Sequence, residues 1–388
     1  MQSEKSKKPK LWLTSMFLCF AICFDLIALL TPDTDFSETE NRMLAQAPKI
    51  TVNGLSDGSF GQDVEKYLSD QFAYRDVWSS MSFFTRNSIF RQSEINGVYI
   101  GSDGYLMLAP SKPDERAMNE KISAINAAAG RHSDVNQVIS VIPNAVTVMS
   151  GKLPLFAPIS PQSGQLDRLS HSLHITKFCD VSDALICHND EELYYHTDHH
   201  WTSRGAYLAF TEIAPYLNID PNKVNFKIYT VSESFEGTLA SKSGSRHYKD
   251  RIEIYVPVSD TPISVTCSDR DETRGTLYER EFLDAKDKYA LFLGGNHPVV
   301  TVRTTNDTQR SLLLIKDSYA NCFVQFLTPY FDQIIIVDPR YTYESIDAMI
   351  TQNDITDVLY LYNADTFMTD TSLTDFLALE SSDSEEES

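Results

Sequence analysis

The densest chemistry in the chain lies near its middle, in His196-Thr197-Asp198-His199-His200-Trp201. An Asp and a His two positions apart in an extended turn point to the same side. The carboxylate can then accept an imidazole N–H and fix its tautomer, as a base and its orienter require. Asp198 and His200 stand in that relation, and His199 beside them reads as a structural or substrate-contacting residue. Thr202 or Ser203 then caps a helix with apolar positions Ala206, Phe210, Ile213, Ala214 and Leu217, which holds the loop rigidly. Trp201 is expected to pack beneath it. A base still needs a proton to take.

The final third of the chain offers the partner. Leu312–Ile315 is a continuous apolar run, as expected of a central parallel strand. A helical period over 319–327 follows, then a strand at Ile334–Val337, a helix over 343–352 and a strand at 358–362. In such βαβαβ units ligands bind at the carboxyl ends of the strands. That rule picks out Ser318, Arg340 and Asn363, one after each strand. Ser318 sits where strand turns into helix, with free backbone N–H groups nearby for an oxyanion. The plainer readings are a helix N-cap for Ser318, a surface residue for Arg340 and a turn former for Asn363. Taken with Asp198 and His200 they form the parts of an acyl-transfer site.

Other elements must carry these residues. Aromatic and aliphatic residues recur at helical spacing from Phe60 to Phe90, predicting helices buried on one face. Residues 94–108 alternate around Gly97, Gly101 and Gly104, a hairpin signal. A helix over 114–129 ends at Gly130, and strands are expected at 138–142 and 175–181. Helix and strand alternate, which predicts an α/β domain with a parallel sheet. Residues 222–310 change texture to short alternating runs and read as a β-rich insertion.

The chain has 388 residues, 42% hydrophobic and 11% aromatic, and a formal charge of −21. A globular protein fits; nucleic acid, which such a charge repels, does not. Leu11–Leu30 is long enough to cross a bilayer, and Lys5, Lys7, Lys8 and Lys10 before it place the N-terminus in the cytoplasm. No small-x-small cleavage pattern closes the run, which favours an uncleaved single-pass signal anchor over a removed signal peptide, and a polar stalk follows. Cys179 and Cys187 can pair in an oxidising compartment or remain free. No cofactor or metal is called for.

Tyr195-His196-Thr197-Asp198-His199-His200-Trp201 resembles the signature of the DHHW family. The likeness extends to Phe36-Ser37-Glu38-Thr39-Glu40-Asn41-Arg42, Asn96-Gly97-Val98-Tyr99-Ile100-Gly101 and Lys316-Asp317-Ser318-Tyr319-Ala320-Asn321. The family is similar to the SGNH-hydrolase-like proteins of alginate O-acetylation, in which Asp-x-His precedes the serine. The resemblance implies an extracytoplasmic, membrane-tethered bacterial protein acting on a cell-surface polysaccharide, with a membrane-bound O-acyltransferase as possible partner. It implies Ser318 as nucleophile, His200 as base and Asp198 as orienter, with Asn363, Arg340, Tyr319 and His199 serving the oxyanion or substrate. The usual Gly-Asp-Ser reads Lys316-Asp317-Ser318 here. The expected layout is a cytoplasmic tail (1–10), anchor (11–30), stalk (31–58), SGNH-like α/β domain with flanking helices (59–375, insertion 222–310) and a disordered acidic tail (376–388).

Two other function classes use the same residues. One is a non-catalytic glycan-binding or assembly subunit of an O-acetylation machinery. The other is a metallohydrolase built on the His cluster, although no Asp-x-Asp pair precedes it at a strand end. If His200 is a base, activity falls as pH drops through the imidazole range, and a flat profile between about pH 5 and 8 counts against it.

Overall fold

The computed structural model describes residues 7–37, 42–159, 162–259 and 261–379. Contacts divide the chain into two units, Met1–Phe90 and Arg91–Ser388.

In the first unit Lys7–Leu30 is one helix of 24 residues. Among the described residues no helix is long and apolar enough to cross a membrane. The side chains of Leu11, Phe24, Asp25, Ala28 and Leu29 lie outside the described set. The expected span Leu11–Leu30 is thus helical but not supported as a membrane crossing. The stalk contains a short hairpin, Phe36–Ser37 with Arg42–Met43, and a helix Val52–Asp57. Glu38 to Asn41 lie outside the described residues. Helices Ser59–Asp70 and Arg75–Phe84 follow. They differ from expectation in their packing: Leu68, Phe72, Val77, Met81 and Phe84 are exposed, and Phe83 and Ala73 are buried instead.

The second unit is built on one sheet whose strands we number in chain order. They are β1 (Asn136–Ile142), β2 (Lys177–Phe178), β3 (Ile263–Cys267), β4 (Thr273–Arg274), β5 (Val299–Thr304), β6 (Ser311–Lys316), β7 (Gln333–Val337) and β8 (Asp357–Asn363). Their order is β4-β3-β5-β7-β6-β8-β1-β2. The five strands from β7 to β2 are parallel, and β5, β3 and β4 extend the sheet antiparallel. The sheet is mixed rather than parallel. The stretch 222–310 is no separate insertion, because three of its segments are strands of this sheet. Only the hairpin Phe226–Phe235 with Asp250–Pro257 stands apart from it.

Successive strand side chains face opposite sides, and the core obeys that rule. Leu312, Leu314, Ile334, Ile336, Leu359 and Leu361 enter one cluster with Trp201, Phe210 and Phe323. Leu313, Ile315, Ile335, Val337, Val358 and Tyr360 enter the other, against Ile122, Ile125, Met349 and Phe376. Helix Ser203–Ile213 thus covers one face, while Glu115–Arg131, Ile346–Gln352 and Ser372–Ala378 cover the other. Phe376 and Leu377 are buried, so the disordered tail expected from 376 cannot start there; 380–388 lie outside the described residues. All six cysteines are free, with Cys179 buried and Cys187 exposed.

β6 has a parallel neighbour on each side, and its carboxyl end decides where Ser318 lies. Leu314→Ala should cost roughly 2–5 kcal/mol by leaving a cavity at a position with no exposure. Leu155→Ala, at 87% exposure, should stay within about 0.5 kcal/mol of wild type. Equal costs in denaturant titration would contradict this layering.

Candidate functional site

The His loop is tied down before any chemistry is considered. Tyr194 and Trp201 form an antiparallel bridge, and Tyr195 N–H donates to His200 O at 3.2 Å. Buried Asp250 accepts the backbone N–H groups of His196 and Thr197, both at 2.8 Å. Trp201, with no exposure, donates its indole N–H to Tyr319 O at 2.8 Å. In return the Tyr319 hydroxyl donates to His199 O at 2.6 Å. Residues on either side of Ser318's turn and of the loop are therefore locked together, as the hydrophobic cluster beneath them requires.

Within that frame the Ser318 hydroxyl lies 2.7 Å from His200 Nε2, and His200 Nδ1 donates to Asp198 Oδ1 at 2.6 Å. The structure thus brings together three residues that the sequence placed some 120 positions apart. Asp198 also accepts His200 N–H at 3.0 Å and, through Oδ2, the Thr238 N–H and hydroxyl at 2.8 and 2.9 Å. The His200 ring meets two others: His199 at 3.9 Å, tilted by 38°, and Tyr289 stacked on it at 3.9 Å and nearly parallel at 14°. The Tyr289 hydroxyl donates to Ser318 O at 3.0 Å. Imidazole and serine therefore share one aromatic brace.

Burial alone would raise the Asp198 carboxyl. The neighbouring His199 and His200 and the hydrogen bonds from His200 and Thr238 overcome it and hold the group well below the usual carboxylate range. Asp198 is an anion at any working pH. Burial and the neighbouring His200 push His199 down to about 4, so its half-buried ring is neutral at physiological pH. Asp317 goes the other way: burial lifts it to about 6 against hydrogen bonds from the Asn363 and Tyr319 backbone.

The remaining expected residues are placed as follows. Tyr319 is fully buried beneath the loop and presents nothing to solvent. Asn363 donates through Nδ2 to Asp317 and, at 2.7 Å, to Thr366 Oγ1, so both amide hydrogens are engaged inside the protein. Its Oδ1 accepts Thr366 N–H at 3.0 Å as the N-cap of helix Ala364–Thr369. Arg340 forms a fork on Asp338, Nε at 2.8 Å and Nη2 at 2.6 Å. Asp338 also takes the ammonium of fully buried Lys316 at 3.3 Å. In this arrangement Asn363 spends both amide hydrogens at its strand end, and Arg340 lies on Asp338 through Nε and Nη2.

Several participants escaped the sequence reading. Asn144 follows β1, so the strand-end rule would have found it. Its Nδ2 donates at 3.3 Å to Tyr319 Oη and to Asn363 Oδ1. Thr238, Asp250 and Tyr289 carry no local signal, because only the tertiary fold brings them to the loop. The Ser318 N–H opens the short 3₁₀ helix Ser318–Cys322, where the first donors lack intrahelical acceptors. The site thus offers a hydroxyl facing an imidazole lone pair, a buried anion behind the imidazole and a backbone donor at the serine. Asp198, His199 and His200 also present donor atoms within 4.8 Å of one another. Both ring nitrogens of His200 are already engaged, however, so an ion bound there must displace either Ser318 Oγ or Asp198.

This is an α/β protein with a Ser-His-Asp hydrogen-bond chain at the carboxyl edge of a mixed sheet. The family model described as "DHHW protein" matches residues 169–337, the segment that carries Asp198-His199-His200-Trp201. A DHHW family protein from Eubacterium siraeum has a similar solved structure, with a TM-score of 0.63, 23% identity and coverage of 72% of this chain and 95% of that one. Bacillus cereus PatB1 with a sulfonyl adduct gives 0.60 and 18% identity over 73% and 100%. The O-acetyltransferase domain of Pseudomonas putida AlgJ gives 0.48 and 13% over 72% and 95%. Among the curated proteins nothing matches.

Two expectations test the geometry. A Cβ on Gly237 would overlap the Asp198 side chain. Gly237→Ala should therefore slow sulfonyl fluoride labelling of Ser318 on the order of 100-fold through displacement of the relay, while the circular dichroism spectrum stays native. Labelling at the wild-type rate would contradict the arrangement. The second concerns Asp317. Its folded pKa of about 6 lies above the ordinary carboxylate value, so between about pH 4 and 6 the native state binds more protons than the unfolded chain. This group's contribution to stability must then fall as pH rises through that window. The stability difference between wild type and Asp317→Asn should accordingly shift against wild type from pH 4 to pH 7, and a difference independent of pH would rule it out.

Proposed function

We propose that the protein catalyses acyl transfer through a Ser318 acyl-enzyme, as an O-acetyltransferase or acetylesterase on a cell-surface polysaccharide. The single observation that carries this reading is the unbroken chain from Asp198 through His200 to Ser318, at 2.6 and 2.7 Å. In the proposed reaction His200 Nε2 takes the Ser318 proton as Oγ attacks the acyl carbonyl, and the Asp198 anion stabilises the imidazolium. The Ser318 N–H supports the oxyanion, with Asn144 Nδ2 as the proposed side-chain donor, since its bonds are the longest in that group. His200 then returns the proton to the leaving oxygen. A sugar hydroxyl or water completes the cycle by attacking the acyl-enzyme, and exclusion of water decides between transfer and hydrolysis.

The polysaccharide substrate and the acetyl group come from the resemblance to alginate O-acetylation proteins, and so does the proposed membrane-bound O-acyltransferase partner. A cell-membrane location with the bulk of the chain extracytoplasmic completes the proposal, supported by the lysine-flanked apolar run at residues 11–30. One observation favours a second reading, a glycan-binding or assembly subunit without catalysis: both Asn363 amide hydrogens are taken internally.

Hydrolysis of a chromogenic acetyl ester separates the two readings. Ser318→Ala and His200→Ala should each lower kcat/KM by about 1,000-fold or more, whereas a non-catalytic subunit would show no difference between wild type and variants. The pH profile adds a check. His199, held at about 4, does not titrate between pH 5 and 8. Any acid limb in that interval should therefore survive His199→Ala, and its loss in that variant would assign the base to the wrong imidazole.

A further inference from the structure

The Asp198 carboxylate carries two imidazoles, and the acyl-transfer reading uses only one of them. Oδ1 takes the His200 Nδ1–H at 2.6 Å. Oδ2 lies 2.9 Å from the Thr238 hydroxyl, which in turn lies 2.9 Å from His199 Nδ1. The directions of these bonds follow from the proton count. An ionised carboxylate has no hydrogen to give, so the Thr238 hydroxyl spends its single proton on Asp198. Toward His199 the same hydroxyl can only accept, and His199 Nδ1 is therefore the protonated nitrogen. The ring is neutral, because burial and His200 oppose its charging. A neutral imidazole with its proton on Nδ1 carries a bare lone pair on Nε2.

The stacking decides which way that lone pair faces. The His199 and His200 rings lie 3.9 Å apart, tilted by 38°. Both turn Nδ1 toward Asp198 Oδ1, at 3.6 Å for His199 and 2.6 Å for His200. Both Nε2 edges are thus turned away from the carboxylate, on the side where His200 Nε2 meets the Ser318 hydroxyl at 2.7 Å. The His200 side chain is buried, whereas 32% of the His199 side chain is exposed. His199 Nε2 makes no hydrogen bond among the described residues. A ring that only met solvent would need no fixed tautomer; this one is set by a relay of its own through Thr238.

We propose that His199 Nε2 binds the acyl acceptor and selects a sugar ring with two adjacent hydroxyls, a vicinal diol. The proposal rests on the acyl-transfer reading. One hydroxyl oxygen attacks the carbonyl carbon of the Ser318 ester, and its proton passes to His200 Nε2. The bond from that carbon to Ser318 Oγ then breaks, and His200 returns the proton to Oγ. The neighbouring hydroxyl keeps its proton and donates a hydrogen bond to His199 Nε2. The oxygens of a vicinal diol are about as far apart as two hydrogen-bonded oxygens, which suits lone pairs carried on rings in stacking contact. A hydroxyl without a neighbour, such as an isolated hydroxymethyl group, leaves the His199 position unfilled. A site built to receive a hydroxyl discriminates against the partner that lacks it.

Product partition in the full-length chain tests this. The protein is acylated with p-nitrophenyl acetate in the presence of trans-1,2-cyclohexanediol or of cyclohexanol, and the acetylated alcohol and free acetate are counted by chromatography. All products leave one intermediate, so their ratio does not depend on how fast the acyl-enzyme forms. Wild type should favour the diol over the mono-ol by about 10-fold per hydroxyl. His199→Phe, which keeps a ring beside His200 but has no lone pair, should lose that preference. His199→Gln, whose side-chain carbonyl accepts a hydrogen bond, should restore part of it. Equal use of the two alcohols by wild type, discharge to water alone, or a preference that persists in His199→Phe would overturn the proposal while an acetyl group on Ser318 leaves the acyl-transfer reading intact. Absence of that acetyl group from the quenched wild-type protein would overturn both.

Discussion

The site depends on keeping one charge buried. Asp198 is almost wholly inside the protein and ionised, a state that desolvation strongly opposes. What makes it tolerable is four hydrogen bonds, two from His200 and two from Thr238. Those bonds also fix the imidazole, so the stabilisation of the anion and the aim of His200 Nε2 at Ser318 are one arrangement. Removing any of its parts costs both. Gly237 belongs to the same arrangement, because only the absence of a side chain there lets Thr238 approach the carboxylate.

Around that charge the fold supplies two kinds of rigidity. The sheet fixes Ser318 along the strand axis, since β6 is flanked by parallel neighbours on both sides. The aromatic cluster fixes the loop against the sheet, through Trp201 on Tyr319 O and Tyr289 on Ser318 O. Buried ionic groups at neighbouring strand ends complete the edge. Lys316, Asp338 and Arg340 pair with one another there, Asp317 accepts from Asn363 and the Tyr319 N–H, and a Lys where a Gly is usual before the Asp-Ser pair is accommodated because Asp338 and Asn296 receive its ammonium.

Much of this was legible in the residues. The strand runs at 312–315, 334–337 and 358–362 were read within one or two positions, because a buried parallel strand must be continuously apolar. Ser318, His200 and Asp198 were found by chemistry plus the strand-end rule. What was not legible depends on pairing between distant segments. Asn363 and Arg340 were assigned by position alone, and their pairing with Asp317 and Asp338 depends on neighbours that position does not reveal. The stretch 222–310 looked like an insertion because alternating runs do not reveal their partners. β3, β4 and β5 show that they extend the main sheet. Tyr289 had no signal at all, since a tyrosine in a charged loop becomes an aromatic brace only once the loop is folded over His200.

The central claim is that the Ser318 hydroxyl becomes a nucleophile because His200 takes its proton. Rapid quenching of the protein with an activated acetyl ester, followed by peptide mass mapping, tests it directly. The account expects one acetyl group per chain, carried on Ser318 in wild type and formed far more slowly in His200→Ala. Acetylation of Ser318 at the same rate with and without the imidazole, or an acetyl group residing on some other side chain while turnover proceeds, would contradict it.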